Sequence, residues 1–205
     1  MIIVTGTGRC GTQSLNKCIN YCERCFSFHE LLKISFDKSN HRIMYEALGK
    51  IIDGERSKNF IFADCSLIYT FHKELFPRLL PNLKIVVLHR DKESTVRSFK
   101  NWVAQHSIFN RAPWKDIFPP MTFFKALNED EYWNRYWDYC NNIYNTQFNE
   151  GCFHLNMQDI NNDNKLVEMF DFCEIPSQYQ KLLPDRKFNI GPRNANPELF
   201  TLTLN

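Results

Sequence analysis

The sequence lacks any long apolar run, since no window approaches the roughly 18–20 consecutive apolar residues needed to span a bilayer. No basic segment with a longer apolar stretch precedes the first predicted strand, and we therefore expect no signal peptide. We predict no transmembrane span and a cytoplasmic protein. Without a secretory route, the eight cysteines are expected to be reduced thiols rather than disulfides.

The sequence also lacks an excess of charge of one sign. Its 25 Lys and Arg residues nearly balance 23 Asp and Glu residues, which leaves a formal net charge of +2, and there is no long basic run. This balance gives no indication of binding to nucleic acid or to an acidic membrane surface. Internal repeats and linker-like segments are also absent, and 205 residues are enough to bury a core. We predict a single domain, residues 1–205.

Glycine is scarce, with seven residues in the chain, yet three of them lie within six positions near the N-terminus. The apolar residues 2–4 before these glycines predict a buried strand, and residues 12–17 after them predict the start of a helix. A strand, a glycine-rich turn and a helix N-terminus together form an anion cradle, because backbone N–H groups and the helix dipole favour negative charge. The predicted phosphate-binding residues are Gly8, Arg9, Cys10, Gly11, Thr12 and Gln13.

A lysine is missing from this turn. The common nucleotide P-loop, G-x-x-x-x-G-K-[ST], carries a lysine after its second glycine, whereas here Thr12 follows Gly11 and the nearby cation is Arg9. The run Arg9-Cys10-Gly11-Thr12 resembles the [KR]-[SC]-G-T loop of sulfotransferases. The resemblance implies that the loop holds the 5′-phosphosulfate of 3′-phosphoadenosine-5′-phosphosulfate (PAPS), the sulfuryl donor of that family.

Apolar strand-like runs alternate with helical patterns along the chain, which predicts an α/β fold with a parallel central sheet. The resemblance to sulfotransferases implies their three-layer, P-loop-like sandwich. Residues 107–120 are irregular and aromatic, with prolines, and are predicted to form a loop or lid over the site. Besides the first strand, strands are predicted at 25–28, 59–64, 83–88 and 152–156. Helices are predicted at 12–25, 31–58, 65–80, 92–105, 129–148 and 163–173. Gly54 is expected to break the second of these helices, and Pro77 to bend the third.

A second cationic position follows the most apolar predicted strand, residues 83–88. Arg90 comes directly after that strand, and Ser98 lies eight residues further on, two turns into the next helix. Sulfotransferases place an Arg and a Ser at this spacing on the 3′-phosphate of the donor, and the resemblance implies the same role for Arg90 and Ser98. Weaker similarities, before this strand, in the aromatic helix and around residues 157–176, extend the resemblance over most of the chain.

A base is needed to deprotonate the acceptor. Glu30, twenty-one residues after Arg9, corresponds to the Glu that tyrosylprotein and bacterial sulfotransferases use near the end of the second strand, and it is the favoured base. Asp64, at the end of the third strand, and the histidines His29 and His72 remain as alternatives. The carboxyl ends of parallel strands meet at the ligand-binding edge of such sheets, so Glu30 and Asp64 should face one cleft. Arg9 is expected to offset the charge that develops on the leaving phosphate.

The resemblance implies a nucleotide donor and an acceptor with a hydroxyl or amine group, such as a carbohydrate, a tyrosine or a small metabolite. It implies no metal, because the leaving group is already a stable anion in a cationic cradle. Two other functions stay open. In a P-loop kinase or nucleotide hydrolase, Asp64 would hold Mg²⁺ beside ATP. A catalytically silent nucleotide-binding module would bind the nucleotide without transferring any group.

Two further patterns are interpreted as packing. Cys18, Cys22 and Cys25 have the C-x3-C-x2-C spacing of radical S-adenosylmethionine enzymes, but they are predicted to lie on one face of the first helix, where cysteine acts as a small apolar residue. The aromatic residues of helix 129–148 recur at helical spacing, and this periodicity indicates a core-facing stripe rather than a substrate platform.

Overall fold

The computed structural model of the chain describes residues 1–32, 35–37, 39, 41–76, 83–106, 117–148 and 150–184. The predicted bend at Pro77 and most of the predicted lid, residues 107–116, lie outside this part. None of the helices within it is long and apolar enough to cross a membrane. The strands are β1 (Ile2–Gly6), β2 (Cys25–His29), β3 (Ile61–Cys65), β4 (Lys84–His89) and β5 (Cys152–Asn156), and the α-helices are α1 (Thr12–Tyr21), α2 (His41–Lys58), α3 (Lys92–His106), α4 (Glu129–Gln147) and α5 (Asp163–Phe172).

The five strands form one sheet in the order β2-β3-β1-β4-β5, and every neighbouring pair is parallel. The predicted α/β fold with a parallel sheet is therefore confirmed. β1 lies at the centre, where Ile3 is opposite Asp64 on one side and Ile85 on the other. Because all five strands run in one direction, the segments that follow β1, β2, β3 and β4 meet at the same edge of the sheet.

The alternation of side chains along the central strands builds two cores, one on each face of the sheet. Ile2 and Val4 pack with residues of α1 and α5, such as Leu15 and Phe170. Ile3 points to the opposite face, where α2, α3 and α4 cover the sheet. Helices on both faces of a parallel sheet give the three layers predicted from the resemblance.

The aromatic residues of α4 are core residues, as predicted. Tyr132, Trp133, Tyr136 and Tyr144 are almost completely buried, and the Trp133 ring stacks on Phe99 of α3 with centroids 4.2 Å apart. Burial of side chains of this size contributes about 1.5–3 kcal/mol each. Asn128 begins the helix, because its side chain accepts a hydrogen bond from the N–H of Glu131.

The prediction that three cysteines share one face of the first helix is wrong. α1 ends at Tyr21, and the chain turns back through Arg24, whose φ of 56° is left-handed. Cys25 consequently lies on β2 rather than on the helix. Cys18, Cys22 and Cys25 are nevertheless all buried in the core beneath α1, which confirms their packing role.

Two further predictions about helices are corrected by the structure. Gly54 does not break α2, which continues to Lys58, because a glycine in a helix interior costs only about 1 kcal/mol. The predicted helix after the third strand is absent as far as residue 75. Two short 3-10 turns, Leu67–Phe71 and Lys73–Leu75, take its place, and the Ser66 hydroxyl caps the first by accepting from the N–H of Ile68.

Candidate active site

The glycine-rich turn after β1 has the backbone geometry of an anion cradle. Gly8, Arg9 and Gly11 have left-handed φ angles of 77°, 54° and 103°, and successive residues of this kind form concave turns that bind anions through N–H groups. Gly11 is the N-cap of α1 and provides no side-chain cap. The first turn of the helix therefore receives no side-chain cap, at the end where the helix dipole is positive and favours an anion.

The inner side of the turn is packed against core residues. A Cβ added to Gly8 would lie 3.1 Å from both Leu67 Cδ2 and Phe99 Cζ, and one added to Gly11 would lie 3.0 Å from Ile160 Cδ1. A side chain at either position would have to push these neighbours aside by a few tenths of an ångström, and its backbone would be strained by the left-handed φ. Glycine at both positions therefore suits the shape of the turn.

We expect Gly11→Ala to lower the free energy of unfolding by about 1–3 kcal/mol, because alanine disfavours a φ of 103° and its Cβ would press on Ile160. Urea unfolding followed by circular dichroism measures this change. Gly49→Ala is the matched control, since Gly49 lies in α2 with nothing within 4 Å of an added Cβ. That substitution should stabilise the protein by about 0.5–1 kcal/mol. Equal effects of the two substitutions would contradict the expectation.

The other residues of the turn differ in which of their groups face outward. The Cys10 side chain is fully buried and burial raises the pKa of its thiol, so Cys10 can offer only its backbone to a ligand. Gln13 is exposed in the first turn of α1, whereas Thr12 is largely buried. Arg9 is the exposed cation of the turn.

The structure brings both predicted phosphate positions together at one edge of the sheet. Arg90 Nη1 donates to the backbone oxygen of Arg9 at 2.6 Å, and Arg9 Nε donates to Ser98 Oγ at 3.2 Å. The Arg9 guanidinium also lies over the Trp102 ring, 5.7 Å from its centroid. The pKa of Arg9 is lowered by desolvation and then by the charge of Arg90, and desolvation likewise lowers that of Arg90. Two cations held this close favour a bound anion.

Two aromatic side chains of helix α4 hold the turn after β1 and the residue that follows β4. Tyr136 donates its hydroxyl to the backbone oxygen of Thr7 at 2.8 Å, and Trp137 Nε1 donates to the backbone oxygen of Arg90 at 3.2 Å. Helical periodicity alone indicates only a packing role for this aromatic stripe. The signal for a further role is the polar atom that Tyr and Trp carry, which needs a partner when the ring is buried.

The two histidines considered as bases occupy different environments. His72 is fully buried, and its Nε2 lies 2.8 Å from the backbone oxygen of Ser35. His29 lies in the cleft at the end of β2, where its Nε2 is 3.2 Å from Thr12 Oγ1. Desolvation and then the charge of Arg9 lower the pKa of His29 to about 4. His29 is therefore neutral near pH 7, and it contacts the glycine-rich turn through Thr12.

The two carboxylates considered as bases are also unlike each other. Glu30 is partly exposed and has a left-handed φ of 60°, and its charge acts on Arg9. Asp64 is fully buried: its Oδ1 accepts from the N–H of Leu31 at 3.2 Å and its Oδ2 from the Tyr69 hydroxyl at 2.6 Å. Burial raises the pKa of Asp64 to about 6, against the lowering effect of those hydrogen bonds.

Within the part of the chain that the structure describes, no group of three or more His, Cys, Asp or Glu side chains is arranged to hold a metal ion. The site thus consists of a backbone cradle, a pair of guanidinium groups with a serine, and a Glu and a His at the end of β2. Such an arrangement can bind two phosphate groups and place a base beside them.

Comparisons with known proteins identify the family and the fold. The family model Sulfotransferase domain matches residues 1–170. Nine chains of solved structures match the fold, among them a sulfotransferase from Alicyclobacillus acidocaldarius, with a TM-score of 0.54 and 13% sequence identity over 93% of this chain and 86% of that one. At that identity the similarity concerns the fold alone. No functionally curated protein matches the sequence significantly.

Proposed function

The chain belongs to the sulfotransferase domain family of transferase enzymes, and from that premise we propose that it moves a sulfuryl group from PAPS to a hydroxyl or amine acceptor. The observation that carries the proposal is that two arginines lie side by side at the glycine-rich turn. Arg90 donates a hydrogen bond to the backbone oxygen of Arg9, and the Arg9 side chain donates one to Ser98. PAPS carries phosphate groups at both its 5′ and 3′ positions, and a cradle beside a second cation suits such a ligand.

The described residues fit the two ends of the donor. Backbone N–H groups of residues 8–13 and the Thr12 hydroxyl would hold the 5′-phosphate, since the left-handed φ angles of Gly8, Arg9 and Gly11 give the turn a concave backbone. The 3′-phosphate would take the Arg90 guanidinium, which can bind two oxygens at once, and the Ser98 hydroxyl.

In the proposed reaction the acceptor oxygen or nitrogen attacks sulfur in line with the leaving group. Glu30 takes the acceptor proton as the new bond to sulfur forms. The bond between sulfur and the 5′-phosphate oxygen breaks, and its electron pair leaves with 3′,5′-bisphosphoadenosine. Arg9 would lie by that oxygen and offset the growing charge, so positioning and electrostatics supply most of the acceleration.

A magnesium-dependent kinase is the second candidate, and one contact argues against it. Its metal would need the carboxylate at the end of β3, yet both Asp64 oxygens accept hydrogen bonds inside the core. A silent nucleotide-binding module would share the cradle and bind the nucleotide, but it would transfer nothing.

Isothermal titration calorimetry with 3′,5′-bisphosphoadenosine, set against ATP plus Mg²⁺, tests the proposal. We expect the bisphosphate to bind more tightly, and Arg90→Ala to weaken its binding by about 1.5–3 kcal/mol, the scale of a charge-assisted contact. Arg42→Ala is the control, since Arg42 pairs with Glu46 on the exposed face of α2. A clear preference for ATP plus Mg²⁺ would support the kinase instead.

The transfer itself is measured with radiolabelled PAPS, using water and N-acetyltyrosinamide as test acceptors. Bisphosphate binding without sulfuryl loss to either acceptor or to members of a carbohydrate and amine panel would favour the silent module. The acceptor class is part of the proposal: a carbohydrate, a tyrosine or a small metabolite presents the nucleophile that Glu30 would activate.

A further inference from the structure

The buried carboxylate of Asp64 is joined to the turn that carries Glu30. Asp64 lies in β3, fully buried, and its Oδ1 accepts a hydrogen bond from the N–H of Leu31, the residue after Glu30. The N–H of Glu30 donates to the backbone oxygen of Cys65 at 3.2 Å. Two consecutive residues of β3 therefore hold two consecutive residues of the turn that leaves β2.

This turn needs such support because its conformation is unfavourable. Glu30 has a left-handed φ of 60°, which residues with a Cβ seldom adopt. A conformation of this kind persists where surrounding contacts over-determine it. In this turn the contacts include the two hydrogen bonds to β3 and a backbone hydrogen bond from Leu32 to Asp64. The side chain that they orient is that of Glu30, whose charge acts on Arg9.

The opposite side of the Asp64 carboxylate is fixed by Tyr69. Its hydroxyl donates to Asp64 Oδ2 at 2.6 Å from the 3-10 turn after β3, and its ring is fully buried. Burial and the Asp64 charge raise the pKa of Tyr69, so the hydroxyl keeps its proton and remains a donor. With one oxygen bound to Leu31 and the other to Tyr69, the carboxylate cannot rotate without breaking a hydrogen bond.

We propose that Asp64 is a positioning residue that holds the Leu31 amide and thereby aims Glu30 at the acceptor. The inference rests on the proposed function, because it takes Glu30 as the base. It also assigns Asp64 a role other than the base considered from the sequence: a fully buried carboxylate with both oxygens occupied does not touch an acceptor in the cleft.

Asp64→Asn separates the two roles. The amide oxygen can still accept from Leu31, and the amide nitrogen can donate to the Tyr69 oxygen, so both contacts survive without a basic carboxylate. If Asp64 is a positioning residue, D64N should transfer the sulfuryl group from radiolabelled PAPS at a rate within about three-fold of wild type. If Asp64 is the base, the rate should fall by about 10²–10⁴-fold. Loss of that size in D64N would overturn the proposal.

Asp64→Ala removes the carboxylate that accepts hydrogen bonds from the Leu31 amide and the Tyr69 hydroxyl. We expect its sulfuryl-transfer rate to fall by about ten- to hundred-fold through misplacement of Glu30, with the Kd for 3′,5′-bisphosphoadenosine within two-fold of wild type. Amide hydrogen exchange should show faster exchange at Leu31 in D64A and unchanged exchange in D64N. An unchanged rate in folded D64A, or equal protection of Leu31 in both variants, would contradict the role.

Tyr69→Phe provides the same readings if D64A does not fold. It keeps the Leu31 contact and loses one partner of the carboxylate, so the rate should fall by a few-fold with the bisphosphate Kd unchanged. Parallel losses of rate and binding would indicate general damage and overturn the proposal. Failure of the proposed function is seen separately, as wild-type protein that neither binds the bisphosphate nor transfers the sulfuryl group. A Glu30→Gln variant with full activity would instead overturn this inference alone, because the base would lie elsewhere.

Discussion

Replacing Arg9 with methionine should lower the rate of sulfuryl transfer by about 10²–10³-fold, the cost of removing one preorganised group that stabilises transition-state charge. Arg9 is suited to this role because its left-handed backbone and the Trp102 ring hold the guanidinium at the mouth of the cradle. Single-turnover measurements with radiolabelled PAPS give the rate. Calorimetry with 3′,5′-bisphosphoadenosine gives the binding constant, which should change less than the rate.

Arg24→Met is a closely matched control for Arg9→Met. Arg24 also has a left-handed φ, 56° against 54°, and its guanidinium lies over the Tyr179 ring at 5.2 Å, but it follows the opposite end of α1. Its replacement should leave the transfer rate within about two-fold, because it contacts no part of the cradle. A loss in binding equal to the loss in rate would mean that Arg9 stabilises the bound nucleotide and the transition state alike.

The Glu30→Gln variant should lose about 10²–10⁴-fold in transfer rate, the usual contribution of a positioned general base. Its affinity for 3′,5′-bisphosphoadenosine should stay the same or increase, since the substitution removes a negative charge that acts on Arg9 beside the anion site. Transfer is measured with the same radiolabelled donor and acceptors, and affinity by calorimetry.

Glu23→Gln is the control for Glu30→Gln, as Glu23 forms an ion pair with Lys181 on the surface and should not affect the rate. An unchanged rate in Glu30→Gln would assign the base elsewhere. His29 would then be the next residue to test, because it is neutral near pH 7 and already contacts Thr12. His29→Asn with a retained rate would leave two buried groups, Asp64 and His72, and D64N tests the first of them.

The two variants divide the site into functional halves. In the proposed reaction, Arg9 belongs to the half that binds and releases the nucleotide, together with Arg90 and Ser98, which the structure places beside it. Glu30, at the end of β2, would belong to the acceptor half. In-line transfer between two bound substrates predicts that Arg9→Met and Glu30→Gln both lose rate. It also predicts that nucleotide binding weakens only in variants of the nucleotide half, such as Arg90→Ala.

Much of the fold could be predicted because its signals are local. Apolar periodicity placed the five strands to within one or two residues, and 152–156 was predicted with its observed bounds. The errors occurred where one contact outweighed propensity. α1 ends before Cys22 without a glycine, because Arg24 itself adopts the left-handed turn. After β3, the Ser66 hydroxyl caps a 3-10 turn in place of the predicted helix.

The sequence by itself determined the glycine-rich turn between β1 and α1, since three glycines, a strand and a helix start act on neighbouring residues. The resemblance added Arg90 and Ser98. Only the tertiary structure decided how distant residues meet. Arg9 reaches Ser98 across 89 positions, and the insertion of β3 between β2 and β1 puts Asp64 beside the turn of Glu30. Strand order and burial set these contacts, and a sequence pattern carries neither, because both depend on residues that are far apart along the chain.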